Sequence, residues 1–210
     1  MEQLAGKNFA KPVANVTGFT LDADPGGEAE DRLCLQLLKE AAPGASRIAV
    51  VVNPDNPGWR DYPNVLNAAA PGVVLIRVES RGAIDIGPTL SHYTNGTVDG
   101  LFLGDDSQLA GDSSVRARVI EFAREQHLPS ATTYVNYARE GGLLSYGVDM
   151  VPILRSAAEY VHRIIHGARP SELPVQVPTK FELVINLKTA KALGLTIPIT
   201  LLGRADEVIE

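Results

Sequence analysis

Only one cysteine, Cys34, occurs in the 210 residues, so no internal disulfide can form and cysteine usage does not assign a redox compartment. No stretch reaches the roughly 18 consecutive apolar residues that a membrane-spanning helix needs. The opening MEQLAGKNFAKPVANVTGFTLD has no charged, apolar and small-residue succession of an export signal, so the chain as written is expected in the cytoplasm. A net positive charge is also lacking. A net charge of −6 argues against nucleic acid and anionic membranes as partners.

Catalytic signatures are absent as well. Gly26-Gly27 and Gly141-Gly142 lack the spacing of a phosphate-cradling loop. Ser145 in GLLSYG is not in a nucleophile elbow, because Leu143 stands where the first glycine should be. His162 and His166 share one helical face without an acidic third ligand, which reads as a solvated helix end rather than a metal site. Cys34 falls on the apolar side of its helix and reads as packing. The expectation is a protein that is not an enzyme and uses no metal and no cofactor.

What is present is a regular alternation. With 45% hydrophobic and 21% charged residues, the chain can bury a substantial core as a globular protein. Short apolar runs rich in Val, Ile and Leu occur at 47–53 (RIAVVVN), 72–79, 99–104, 128–134 and 142–147. They show no polar alternation, as in strands buried on both faces of a parallel sheet. Helical patterns lie between them at 28–41 and 112–127, with weaker ones at 60–70 and 83–95, which Pro63 and Pro88 keep short. The best helix is 151–166, with Asp149 as its cap, Pro152 in its first turn, an apolar stripe of Ile153, Ala157, Val161 and Ile164, and Gly167 as its stop. A strand at 181–187, a short helix ended by Gly194 and a final helix from about Thr200 complete the chain. The predicted class is α/β, with a doubly wound parallel sheet.

In such sheets ligands sit beyond the carboxyl ends of the strands, where the strand order reverses. The first and third strands run there into Asn53-Pro54-Asp55-Asn56 and Gly104-Asp105-Asp106. Thr132, Thr133 and Ser145-Tyr146-Gly147 fall on the same edge. Each loop alone reads as ordinary turn chemistry; four on one edge point to a binding site. Because Asp105 and Asp106 are adjacent, only one can face a cleft if strand geometry persists.

The run PTKFELVINLKTAKALGLTIPITLLGRADEVIE (178–210) resembles the closing segment of a family of ABC-transporter substrate-binding proteins. NVTGF (15–19), RIAVVVNPDNP (47–57), VDGLFLGDD (98–106) and GGLLSYGVD (141–149) follow in that family's order. The resemblance implies a type I periplasmic-binding-protein fold, two doubly wound lobes with a ligand cleft between them, and an extracytoplasmic location for the family. It implies that 1–21 end an incomplete first lobe and that 22–147 form the main ligand-binding lobe. Residues 148–177 then cross back with a helix of the incomplete lobe, and 178–210 return to the main one. The family normally carries more chain before NVTGF, so the resemblance also implies a truncated form.

Carried over residue by residue, the candidate ligand contacts are Asn53, Asn56, Asp105, Thr132, Thr133, Tyr146 and Gly147, with Trp59 and Tyr134 as further aromatic cover. They suit a small amino-acid-like solute, aromatic or branched: Asp105 for an ammonium group, the amides for polar atoms, and Trp59, Tyr134 or Tyr146 for an apolar side chain. The implied partners are that solute and an ABC permease; the apolar stripe of 151–166, left exposed by an incomplete lobe, adds the expectation of a homodimer through that lobe. The competing expectation is a non-transporting remnant that acts as a cytoplasmic sensor or self-associating scaffold. An enzyme on the same scaffold would need a catalytic pair that the sequence does not contain.

Overall fold

The computed structural model describes residues 9, 15–21, 29–57 and 72–210. Trp59, the turn at 24–27 and the helix expected at 60–70 lie outside the described residues. Chain contacts divide the protein into two compact units. The larger comprises Glu30–Gly147 and Glu182–Glu210, and the smaller comprises Met1–Ala29 and Val148–Phe181.

The larger unit is built on a sheet whose strands are β1 (Arg47–Val52), β2 (Val74–Glu79), β3 (Gly100–Leu103), β4 (Ser130–Thr132), β5 (Leu144–Val148), β6 (Phe181–Asn186) and β7 (Glu207–Ile209). Their order is β2-β1-β3-β4-β5-β6-β7, so the chain reverses direction across the sheet between β1 and β3. β1 pairs in parallel with β2 and with β3, β3 with β4, and β4 with β5. β6 runs the other way. The Asn186 N–H donates to Leu143 O at 2.9 Å while the Asp149 N–H donates to Lys180 O at 3.0 Å, joining the start of each strand to the end of the other. β7 then pairs in parallel with β6. The fold is α/β with a mostly parallel sheet.

The apolar runs are explained by the two layers that cover them. Along β1, Ile48, Val50 and Val52 enter one core cluster while Ala49 and Val51 enter the other. β3 splits the same way, with Phe102 on one face and Leu101 and Leu103 on the opposite one. Side chains of a strand alternate between faces, so a strand covered on both must be apolar throughout. Helices α1 (Ala29–Ala41), α6 (Leu187–Ala192) and α7 (Ile199–Leu202) fill the first cluster. Helices α2 (Ile86–Leu90), α3 (Ser113–Glu125) and α4 (Asn136–Arg139) fill the second.

Helix ends follow local chemistry. Asp112 caps α3 by accepting the Ser114 N–H at 2.7 Å, and Gly194, at φ +70°, lies two residues past α6. The helix expected from about Thr200 is present but brief. α7 is a single turn, after which Glu207–Ile209 add a strand. Asp206 fixes that change by accepting the Leu183 N–H at 2.9 Å and donating its own N–H to Leu183 O at 2.9 Å.

In the smaller unit, helix α5 (Met150–Ile165) begins at Asp149, which accepts the Val151 N–H at 3.0 Å. Its Tyr160 rests against Phe19, with ring centroids 5.0 Å apart, and donates to Pro174 O at 2.7 Å. Phe19 forms a parallel bridge with Gln176, and Thr17 donates to Leu173 O at 2.6 Å. These contacts explain why NVTGF, far away in sequence, belongs with this helix. Among the described residues no helix is long and apolar enough to cross a membrane.

At the sheet's amino edge, Asp99 accepts from the Ser46 N–H (3.1 Å), the Ser46 hydroxyl (2.8 Å), the Arg47 N–H (2.9 Å) and Arg47 Nη2 (2.6 Å). The Arg47 guanidinium above all, against the opposing effect of burial and joined by Ser46, holds this carboxyl far below the usual carboxylate range. A depressed folded value contributes stability that is present above the unfolded value of about 3.9 and is lost as pH falls through the folded one. Urea unfolding should therefore show Asp99→Asn to be less stable than the parent at neutral pH. The gap should narrow between about pH 5 and pH 2. Parallel stability curves across that window would remove Asp99 from the acid dependence.

Candidate functional site

The strand order reverses between β1 and β3, the place where ligands sit in open parallel sheets, and the loops leaving their carboxyl ends lie side by side there. The first loop turns at once. The Asp55 N–H donates to Asn53 Oδ1 at 3.0 Å and the Asn56 N–H to Asn53 O at 3.2 Å. The second loop is closed by Asp106. Its carbonyl accepts the Leu109 N–H at 3.0 Å and the Gly111 N–H at 2.9 Å. Its carboxylate accepts the Gln108 N–H at 2.8 Å, Asn53 Nδ2 at 3.3 Å and Asn56 Nδ2 at 2.9 Å. Asn53 and Asp106 are both buried, so these charge-assisted bonds are shielded from water.

The two adjacent aspartates thus do different things. Asp106 turns inward and ties the β1 and β3 loops together, whereas Asp105 is exposed beside it. The amides of Asn53 and Asn56 are held by Asp106, which makes them shapers of the edge. The loop after β2 is knitted to the same edge: the Ser80 N–H donates to Val52 O at 3.0 Å, and Arg81 reaches Asp55 at 3.0 Å.

β4 and β5 supply the other side. Thr132 is fully buried, and its hydroxyl accepts the Tyr134 N–H at 3.4 Å, so it serves its own turn. Thr133, next in the chain and also buried, has a hydroxyl oxygen with no hydrogen-bond partner among the described residues. Leaving such a group unsatisfied costs about 1–3 kcal/mol. Ser145 donates to Val135 O at 2.7 Å, which occupies its hydroxyl structurally.

The two tyrosines separate. Tyr134 packs with the α2–α3–α4 cluster and Tyr146 with the α1 cluster, on opposite faces of the sheet. The Arg116 guanidinium lies 4.1 Å from the Tyr134 ring centroid, covering one of its faces. Burial, then the charges of Glu30 and Asp206, push the Tyr146 phenol up.

Three participants were not singled out by motif: Glu30, Asp31 and Arg116. Glu30 and Asp31 are buried carboxyls in the first turn of α1, whose amino end lies at this edge because the helix runs back against β1. Burial, then the charge of Asp31, raise the Cys34 thiol far above its ordinary range. Cys34 donates to Thr132 O at 3.3 Å and remains a protonated packing residue. A consecutive acidic pair at the head of an edge-facing helix was the signal available for the carboxyls. Arg116 gave none.

Among the described residues no group of three or more His, Cys, Asp or Glu side chains could hold a metal ion. His162 and His166 lie ring to ring at 4.1 Å on exposed helix surface, and His166 Nδ1 lies 2.8 Å from the His162 carbonyl.

The profile of the ABC transporter substrate binding protein family matches residues 5–209. The chain belongs to that family. A tyrosine-binding protein of Clostridioides difficile is 22% identical over 193 residues, which are 90% of this chain and 52% of that protein. The chain therefore spans about half the length of the curated relative it matches. A conserved domain protein from Vibrio cholerae superposes with a TM-score of 0.80 at 28% identity, over 96% of this chain and 66% of that one. An ABC domain from Streptococcus pneumonia, solved with L-Trp, gives a TM-score of 0.80 at 24% identity, over 97% of this chain and 68% of that one. The family is one of binding proteins.

Gly147 is the position where the β4 and β5 exits touch. A β-carbon there would overlap the Thr133 carbonyl, a backbone atom that cannot swing aside. Gly147→Ala should lower stability by about 1–3 kcal/mol, the cost of overpacking. A thermal midpoint equal to the parent's would show that the two exits move independently.

Proposed function

We propose that the chain is the solute-binding component of an ABC importer and takes a small amino-acid-like solute, aromatic or branched, at the carboxyl edge of the β1–β3–β4–β5 sheet. The single observation that carries the reading is the pairing, on neighbouring strand exits, of an exposed carboxylate at Asp105 with an unsatisfied buried hydroxyl at Thr133. A zwitterion offers complementary groups to both: an ammonium for the carboxylate and a carboxylate for the hydroxyl. The tyrosine-binding protein and the domain solved with L-Trp support the same solute class. An ABC permease is the partner to which such a protein would deliver. Asn53, Asn56 and Asp106 give the edge its shape in this reading, and Thr132 and Gly147 support Thr133.

The test is a thermal-shift and calorimetric panel of L-tyrosine, L-tryptophan, L-phenylalanine and L-leucine. A ligand that binds only the folded protein stabilises it by RT ln(1 + [L]/Kd), about 2.7 kcal/mol at a hundredfold excess. Asp105→Ala should weaken binding by roughly 10- to 100-fold, the worth of a charge-assisted hydrogen bond, with little change in melting. Thr133→Val should weaken it about fivefold and leave stability equal or higher, because an orphan hydroxyl is removed. A flat panel from well-folded protein would sink the ligand class, and unchanged affinity in both variants would move the site elsewhere.

Helix α5 favours a second reading, pairing with another copy of the chain. Of its side chains only Tyr160 is buried, while Val151, Leu154, Val161 and Ile165 are 61%, 62%, 56% and 75% exposed. With Ala158 they repeat at alternating spacings of three and four, the seam along which like helices interlock. The protein should therefore self-associate at high concentration, and Leu154→Glu with Val161→Glu should return it to a monomer. A strictly monomeric mass by light scattering for the parent would discard this reading.

A further inference from the structure

The two strand exits that carry Asp105 and Thr133 belong to separate loops, and one buried side chain grips both. Arg116 sits in the first turn of α3 with only 4% of its side chain exposed. Its Nη1 donates to the Ala110 carbonyl at 2.7 Å. Ala110 lies inside the turn that closes on Asp106 through the Leu109 and Gly111 N–H groups, so this bond fixes the loop leaving β3. The face of the same guanidinium covers the ring of Tyr134, the residue after Thr133, at 4.1 Å. Its remaining edge is clamped by Glu140, with Nε–Oε2 and Nη2–Oε1 both 2.7 Å. Glu140 ends α4, the helix into which the β4 loop runs, so the carboxylate anchors the guanidinium to that second loop as well.

A planar fork with five donors can serve a carbonyl, a carboxylate and an aromatic face at once, and a lysine ammonium cannot. We infer that Arg116 is a positioning residue for ligand binding, holding loops 104–111 and 133–135 in register so that Asp105 and Thr133 present a fixed spacing to one solute. The inference rests on the reading of those two residues as ligand contacts. Pre-ordered loops bind more tightly because less conformational freedom is lost on association.

The experiment compares the parent with Arg116→Lys and Glu140→Gln, using amide hydrogen exchange without ligand and calorimetry with L-tyrosine and L-tryptophan. Exchange at 105–111 and 133–135 should accelerate about tenfold in Arg116→Lys while the strand amides of β1 and β3 stay protected, as expected of local opening. Affinity should fall about tenfold in molecules that remain folded, and Glu140→Gln should shift both readouts in the same direction by less. Glu140→Gln retains the side-chain shape and decides the matter if Arg116→Lys does not fold. Unchanged exchange in the two loops, or parental affinity alongside a lowered melting temperature, would reduce Arg116 to a purely structural role and overturn the inference. Failure of the parent to bind either amino acid would overturn the ligand reading instead. Loop exchange would then still show whether Arg116 sets the loops.

Discussion

Strand β1 is the constraint on which the rest of the larger unit depends. It is paired on both edges, by β2 and β3, and covered on both faces, so Ile48, Ala49, Val50, Val51 and Val52 are all buried. Such a strand has no polar option within it. After Arg47 at its start the next polar residue is Asn53, where the sheet ends, and that is also where the strand order reverses. The reversal and the chemistry coincide for one reason: polar side chains are excluded from the strand and reappear together at its exit.

At that exit a buried carboxylate needs partners more than a solvated one does, since desolvation without hydrogen bonds is costly. Asp106 meets the requirement with the amides of Asn53 and Asn56 and the Gln108 N–H. Its neighbour Asp105 is exposed to water. The division of labour follows from burial alone. It makes one aspartate the tie between two loops and leaves the other on the surface. Across the edge, Arg116 and Gly147 act by similar logic, one by filling space with a multidentate group and the other by leaving space for a carbonyl.

Much of this architecture was legible because the relevant signals are local. Unalternated Val, Ile and Leu runs mark doubly covered strands, and Asp112 and Asp149 stand one position before the helices they cap. The switch point at Asn53 and Asp105–Asp106 was legible once the strand order was assumed. The illegible parts depend on what lies across space. Tyr134 and Tyr146 read alike in sequence yet pack on opposite faces. Thr132 and Thr133 differ only by the alternation of the chain, which makes one a turn acceptor and leaves the other unsatisfied. The final strand was missed because three residues paired to β6 carry too little pattern to outweigh the helical look of 199–202.

By itself the sequence determined the α/β class, the positions of most strands and caps, and the likeness of its motifs to the substrate-binding family, because each depends on neighbours along the chain. Tertiary structure alone decided which aspartate is buried, which threonine hydroxyl lacks a partner among the described residues, which way β6 runs and where the Arg116 guanidinium is spent. Those outcomes depend on burial and on partners brought together from 24 to 53 residues away, as with Arg116 and Glu140 or Asn53 and Asp106. No local pattern records such a meeting, since the free energy that selects it arises only when water has left both groups.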